Sequence, residues 1–107
     1  MYKNIEKKQI MKLEDLVEYQ EGQVVSKTLV QNVLVSVTVF SFDKGEEIST
    51  HASGGDAMVT VLDGKGKFTI GGEEYILQKG ETIVMPKNVP HAVYGEEKFK
   101  KQLVVSS

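Results

Sequence analysis

The sequence predicts an all-β domain, a sandwich or barrel, on three observations. After residue 20 the chain breaks into QVVSKTLVQ, NVLVSVTVFSF, AMVTVLDG, GKFTIGG, EEYILQ, ETIVMP, HAVYG and QLVVS. About eight short runs rich in Val, Ile, Thr, Tyr and Phe, spaced by turn residues, are what such a fold requires. The separators carry specific turn chemistry: Ile70-Gly71-Gly72-Glu73 suits a two-residue hairpin with positive φ, and Asp63-Gly64 and Lys79-Gly80 read as similar turns. With 107 residues, the chain forms one domain able to bury roughly 65% of its unfolded surface in a single core.

Ahead of the strands, residues 1–20 form an extension. Leu13, Leu16 and Val17 follow helical spacing with Glu14, Asp15 and Glu18 between them, which predicts one or two helical turns over the edge of the β domain at 21–107. In NVLVSVTVFSF, Leu34, Ser36, Thr38, Phe40 and Phe42 share one side, and Val33, Val35, Val37, Val39 and Ser41 the other. A strand apolar on both faces is covered twice. In a chain this small a second copy is the expected cover, so a homodimer is predicted.

Charge and composition exclude several classes. With 13 basic and 15 acidic residues the net charge is −2, which gives no footprint for nucleic acid or an anionic membrane. Lys7-Lys8 and Lys100-Lys101 lie beside glutamates and read as solvated faces. There is no cysteine, which excludes disulfides, thiolate nucleophiles and iron–sulfur clusters. No run is apolar enough for a signal peptide or a membrane span, so a cytoplasmic location is the expectation.

Two segments bear on function. The first runs Gly45-Glu-Glu-Ile-Ser-Thr-His51-Ala-Ser53-Gly-Gly-Asp56-Ala57 and on to Gly64; the second runs Gly80-Glu-Thr-Ile-Val-Met-Pro86-Lys-Asn88-Val-Pro-His91. Together they resemble the two motifs of the cupin superfamily. The spacing from Gly45 to His51 to Gly64, and from Gly80 to Pro86 to His91, matches those motifs. The resemblance narrows to the small, one-domain bacterial cupins. It implies a double-stranded β-helix, or jelly-roll barrel, with a pocket inside it near the ends of the motif strands.

The departures from the motifs define the site question. The family's second histidine is Ser53 here, and its glutamate position is Ala57. The glycine after Pro-x is Asn88, the next most tolerant residue at positive φ. Of the usual four ligands only His51 and His91 remain, and these are the chain's only two histidines. The resemblance implies that they converge in the barrel, in a pocket with Ser53, Ala57, Val59 and Met85. Asp56 replaces the lost carboxylate only if a bulge at Gly54-Gly55 re-aims it, since one step along a strand reverses the face.

Two readings of that pocket stand side by side. In one, a small polar organic ligand meets His51 and His91, with a weakly held divalent metal (Fe, Mn, Ni, Cu or Zn) and an unassigned reaction. In the other, the same pocket holds a sugar-like or carboxylate metabolite without metal or turnover, in a binding or sensing module. Tyr75 and Tyr94 are possible acids but read better as packing residues. Met58 and Met85 read as core. The Gly-rich turns lack a phosphate-loop pattern, and no nucleophile elbow surrounds Ser53.

Overall fold

Runs of β-branched and aromatic residues become strands because their side chains pack well on a pleated, half-buried surface. The structure is a computed structural model that describes residues 1–107. One 3-10 turn, Leu13–Leu16, precedes seven strands. These are β1 (Val24–Gln31), β2 (Val35–Phe42), β3 (Glu47–His51), β4 (Asp56–Ile70), β5 (Glu73–Gln78), β6 (Thr82–Met85) and β7 (His91–Ser106). Every strand pairing is antiparallel.

The two long strands, β4 and β7, pair with each other from Asp56↔Ser106 to Ile70↔His91. Each serves two sheets. The first half of β4 takes β6 and the second half takes β5. The start of β7 takes β3, and its end takes β2 with β1 beyond. The result is a jelly-roll barrel of two facing sheets, as the sequence predicted.

Two expected turns are corrected by this arrangement. Asp63-Gly64 is not a hairpin but a bend inside β4, and HAVYG and QLVVS are parts of one strand. The ladder slips at Val61/Asp63 and at Gly64/Gly66, where the paired strands cross from one sheet to the other. Gly64 has φ +74°, and a Cβ there would run into the Lys98 carbonyl. Gly71 and Gly72 do form the predicted hairpin, both at positive φ.

Cross-strand register identifies the inner face. Ala57, Val59 and Val61 of β4 lie opposite Val105, Leu103 and Lys101 of β7. Those three lie in turn opposite Ser36, Thr38 and Phe40 of β2. The core gathers Phe42, Ala57, Val59, Val61, Phe68, Leu77, Met85, Val93 and Phe99. Phe99 stacks on Phe42 at 4.5 Å between centroids and meets Phe68 edge-on at 5.9 Å, so three rings fill much of the interior.

The outer face of β2 has a cover of its own. Val17, Leu29 and Val39 form a second cluster with Ile5, Leu13, Leu16, Val25, Val37 and Leu62 around it. Ser41 Oγ donates to the Glu18 carbonyl at 2.7 Å, Lys100 Nζ donates to the Glu14 carbonyl at 2.6 Å, and the Tyr19 hydroxyl donates to Asp63. The N-terminal extension therefore straps a sheet face rather than an edge. It supplies part of the second cover that the sequence reading assigned to another copy.

Lys101 also departs from expectation. It was read with Lys100 as a solvated pair, yet only Lys100 faces outwards. Lys101 alternates with Phe99 and Leu103 on the inner face, is 2% exposed, and lies under the Phe40 ring with Nζ 4.5 Å from the centroid. Desolvation pulls its amine down to about 7.

Two outcomes follow from this packing. Between pH about 7 and 10.5 the unfolded chain binds the Lys101 proton that the folded chain has lost. Stability due to this group therefore rises with pH across that window and is lost as pH falls through it. Lys101→Met removes that slope and stabilises the fold at neutral pH by roughly 1–4 kcal/mol, measured by urea unfolding of both proteins at pH 7 and pH 9. Gly64→Ala costs about 2 kcal/mol or more, because both its φ and the Lys98 carbonyl oppose a side chain; thermal and urea midpoints measure it.

Candidate functional site

β3 is an edge strand that pairs with the start of β7. Glu47↔Tyr94 and Ile48↔Val93 are followed by an irregularity and then by His51↔His91. From Ile48 to His51 the strand spends one residue more than β7 does between Val93 and His91. That bulge matters. Without it His51 would face away from the side that Ile48 shares with Val93; with it, His51 returns to face His91.

The two imidazoles meet edge to face, with ring centroids 4.3 Å apart. His91 is 3% exposed, whereas His51 lies on the open rim. His51 Nδ1 is 2.8 Å from the Ser49 carbonyl, and His91 Nδ1 is 3.1 Å from the Val89 carbonyl. A carbonyl only accepts, so each Nδ1 carries the hydrogen and each neutral ring keeps Nε2 as a bare lone pair. Burial lowers the His91 pKa below the ordinary histidine value. Its bond to Val89 works in the opposite direction, and the charges of His51 and Lys101 add to the lowering.

The other predicted positions divide between the core, a loop and the outer surface. Ala57, Val59 and Met85 all belong to the close-packed core, and Ala57 and Met85 are cross-strand partners. They line no open cavity, contrary to the expectation that they line a pocket. Ser53 is half-buried, and its carbonyl accepts the Asn88 N–H at 2.9 Å. Asn88 has the expected positive φ, 63°.

Asp56 is not re-aimed. It is exposed, and its Oδ1 accepts the Lys87 N–H at 2.8 Å. With Ala57 inside, the period of two turns Asp56 out, where it fastens the loop before His91. No group of three or more His, Cys, Asp or Glu comes together anywhere in the chain. Tyr75 is exposed and donates to Glu73, and Tyr94 carries Lys67 over its ring at 5.0 Å. Met58, read as core, is 42% exposed on the outer face of β4.

Two features escaped the sequence reading. One is a cleft of about 270 Å³ between the β1–β2 hairpin and Gly54-Gly55, with Ser36, Val105 and Ser107 on its walls. The other is Lys101 inside the barrel. The second had a signal: Phe99, Leu103 and Val105, which alternate with Lys101 on one face of the strand, are all apolar.

Comparison with known proteins agrees with this architecture. The cupin-domain family profile matches residues 38–105. The chain therefore belongs to the cupin family. It is similar to a conserved Streptococcus pyogenes protein of unknown function, with 46% identity over 99% of this chain and 93% of that one, at a TM-score of 0.97. It is also similar to a cupin superfamily protein from Desulfitobacterium hafniense, at 28% identity over 99% and 97% of the two chains and a TM-score of 0.95. A cupin 2 conserved barrel domain protein from Leptotrichia buccalis shares 48% identity over 88% of this chain and 46% of its own, at a TM-score of 0.87. No curated protein matches. No helix is long and apolar enough to cross a membrane.

The geometry makes two outcomes specific. In a ¹H–¹³C titration the His91 ring titrates below the ordinary histidine value of 6.5, and Lys101→Met moves it upward. Because the folded value is the lower one, the His91 share of stability is lost as pH falls through 6.5 towards it. Asp56→Ala leaves both histidine spectra in place and costs about 1 kcal/mol through the loosened Lys87 turn, read by urea unfolding and amide exchange at Lys87.

Proposed function

We propose that this cupin binds a small polar organic ligand at a site centred on His51 and His91. The observation that carries the reading is the facing pair of imidazoles, each with Nδ1 occupied by a backbone carbonyl and Nε2 unengaged. Such nitrogens accept a hydrogen bond, take a proton, or donate a lone pair to a metal ion. Ser53, two residues after His51, is a further hydroxyl in the loop that its carbonyl ties to Asn88.

Two imidazole donors suit Fe, Mn, Ni, Cu or Zn, whose remaining positions would be filled by water or by the ligand itself. With Asp56 turned out and Ala57 at the motif's carboxylate position, the protein's share stops at two neutral donors. Retention is accordingly weak. When bound, such an ion would polarise a ligand oxygen as a Lewis acid. The residues themselves orient the ligand, and His91, held neutral by burial, accepts a proton at Nε2. The reaction class stays unassigned.

A second reading, a binding or sensing module without metal, is favoured by the donor count, since Asp56 faces out and no third His, Cys, Asp or Glu joins the two histidines. In either reading we place the chain in a homodimer. The N-terminal strap leaves Met58 and Val84 uncovered as a cross-strand pair on the outer face, next to Val104.

Elemental analysis of untagged protein tests the metal. The expected result is sub-stoichiometric metal that rises on incubation with Zn or Ni, is stripped by chelator, and is abolished in His91→Ala and in His51→Ala. Retention in both variants, or no uptake by the parent, sinks the metallo reading and leaves the metal-free module. Sedimentation equilibrium of the parent and of Val84→Glu tests the dimer, with the variant expected to be monomeric.

A further inference from the structure

Lys101 has no partner of opposite charge. The molecule's ion pairs are Lys65–Glu97, Lys67–Glu74 and Lys79–Glu14, and none reaches it. Its ammonium lies over aromatic faces, Phe40 at 4.5 Å and Phe42 at 5.7 Å. Cation–π contact returns less than the cost of burying an unpaired charge. An amine in this position is satisfied when an anion joins it.

The surroundings point the same way. The polar groups nearest in register on that face are hydroxyls, Ser26 and Thr28 on β1 and Thr38 and Ser36 on β2. His91 lies near enough for its charge and that of Lys101 to oppose each other. The position at which the first motif carries its carboxylate is Ala57. The interior is therefore furnished for a negative guest and poorly for a bare cation.

The inner face beside Lys101 is incompletely covered. Ser36, Thr38 and Phe40 on β2, with Leu103 and Val105 on β7, are only partly buried. They form a strip that starts at the 270 Å³ cleft, where Ser36 and Val105 are wall residues. Four residues of strand, about 13 Å, separate Val105 from Lys101, and the lysine side chain spans part of that gap. One point charge in an apolar setting matches a monoanion with an apolar body. A phosphate dianion calls for several donors, an arginine fork or a backbone nest, and none adjoins Lys101.

We infer that the barrel takes a small organic carboxylate, its charged end at Lys101 Nζ, on the side where the lysine's charge is felt by His91, and its body along the β2–β7 strip. This assignment rests on the histidine pocket proposed above and names its substrate class. The guest's carboxylate would supply the negative charge that the protein interior lacks.

The test uses the full chain, with the His51 and His91 ring signals and the Lys101 side-chain signal followed by NMR. Acetate, butyrate and benzoate are each titrated against their neutral amides, with inorganic phosphate as a further arm. Lys101→Met provides the comparison, since it is expected to fold at least as well as the parent. At least one carboxylate should shift all three signals saturably, its amide and phosphate should not, and Lys101→Met should weaken binding by about tenfold or more.

Equal binding by acid and amide, or undiminished binding in Lys101→Met, overturns the counter-charge and leaves the histidine pocket standing. If phosphate outcompetes every carboxylate, the ligand class is wrong. If no probe reaches either histidine, both this inference and the pocket beneath it fail.

Discussion

Everything in this barrel depends on the pairing of β4 with β7. A single ladder runs from Asp56↔Ser106 to Ile70↔His91 and belongs to both sheets. The other strands add to it on either side, so the register of one pair sets which residues of five further strands face inwards. The bend that lets one ladder serve two sheets requires close backbone approach. Gly64 admits the Lys98 carbonyl, and Gly66 lies against the Phe99 ring. The glycines thus set barrel curvature, and Phe99, received into that bend, completes the stack of rings inside.

The same ladder positions the site. His91 is the first residue of β7 and the cross-strand partner of both His51 and Ile70. Its place is held by pairing on two sides, while His51 reaches it from an edge strand through a bulge. One histidine is therefore buried and fixed, and the other is exposed at the rim.

Much of the fold was legible because period-two patterns and turn glycines act locally. The Gly71-Gly72 hairpin, the two faces of β2 and the outward direction of Asp56 all follow from alternation alone. What escaped had a non-local cause. Asp63-Gly64 has the composition of a hairpin turn, and only the long-range partner β7 makes it a bend within one strand. The inner position of Lys101 was written in its alternation with Phe99 and Leu103, yet the neighbouring glutamates suggested solvent. The cleft by Gly54-Gly55 depends on how separate loops pack, which no single segment encodes.

Lys100 and Lys101 are consecutive residues with opposite allegiances. Lys100 holds the Glu14 carbonyl of the N-terminal strap on the outside, while Lys101 points under Phe40 within. The peptide unit between them is thus shared by the outer strap and the inner wall. A barrel wall one strand thick has no buffer at that point, so the strap's anchorage and the interior charge are mechanical neighbours separated by a single residue.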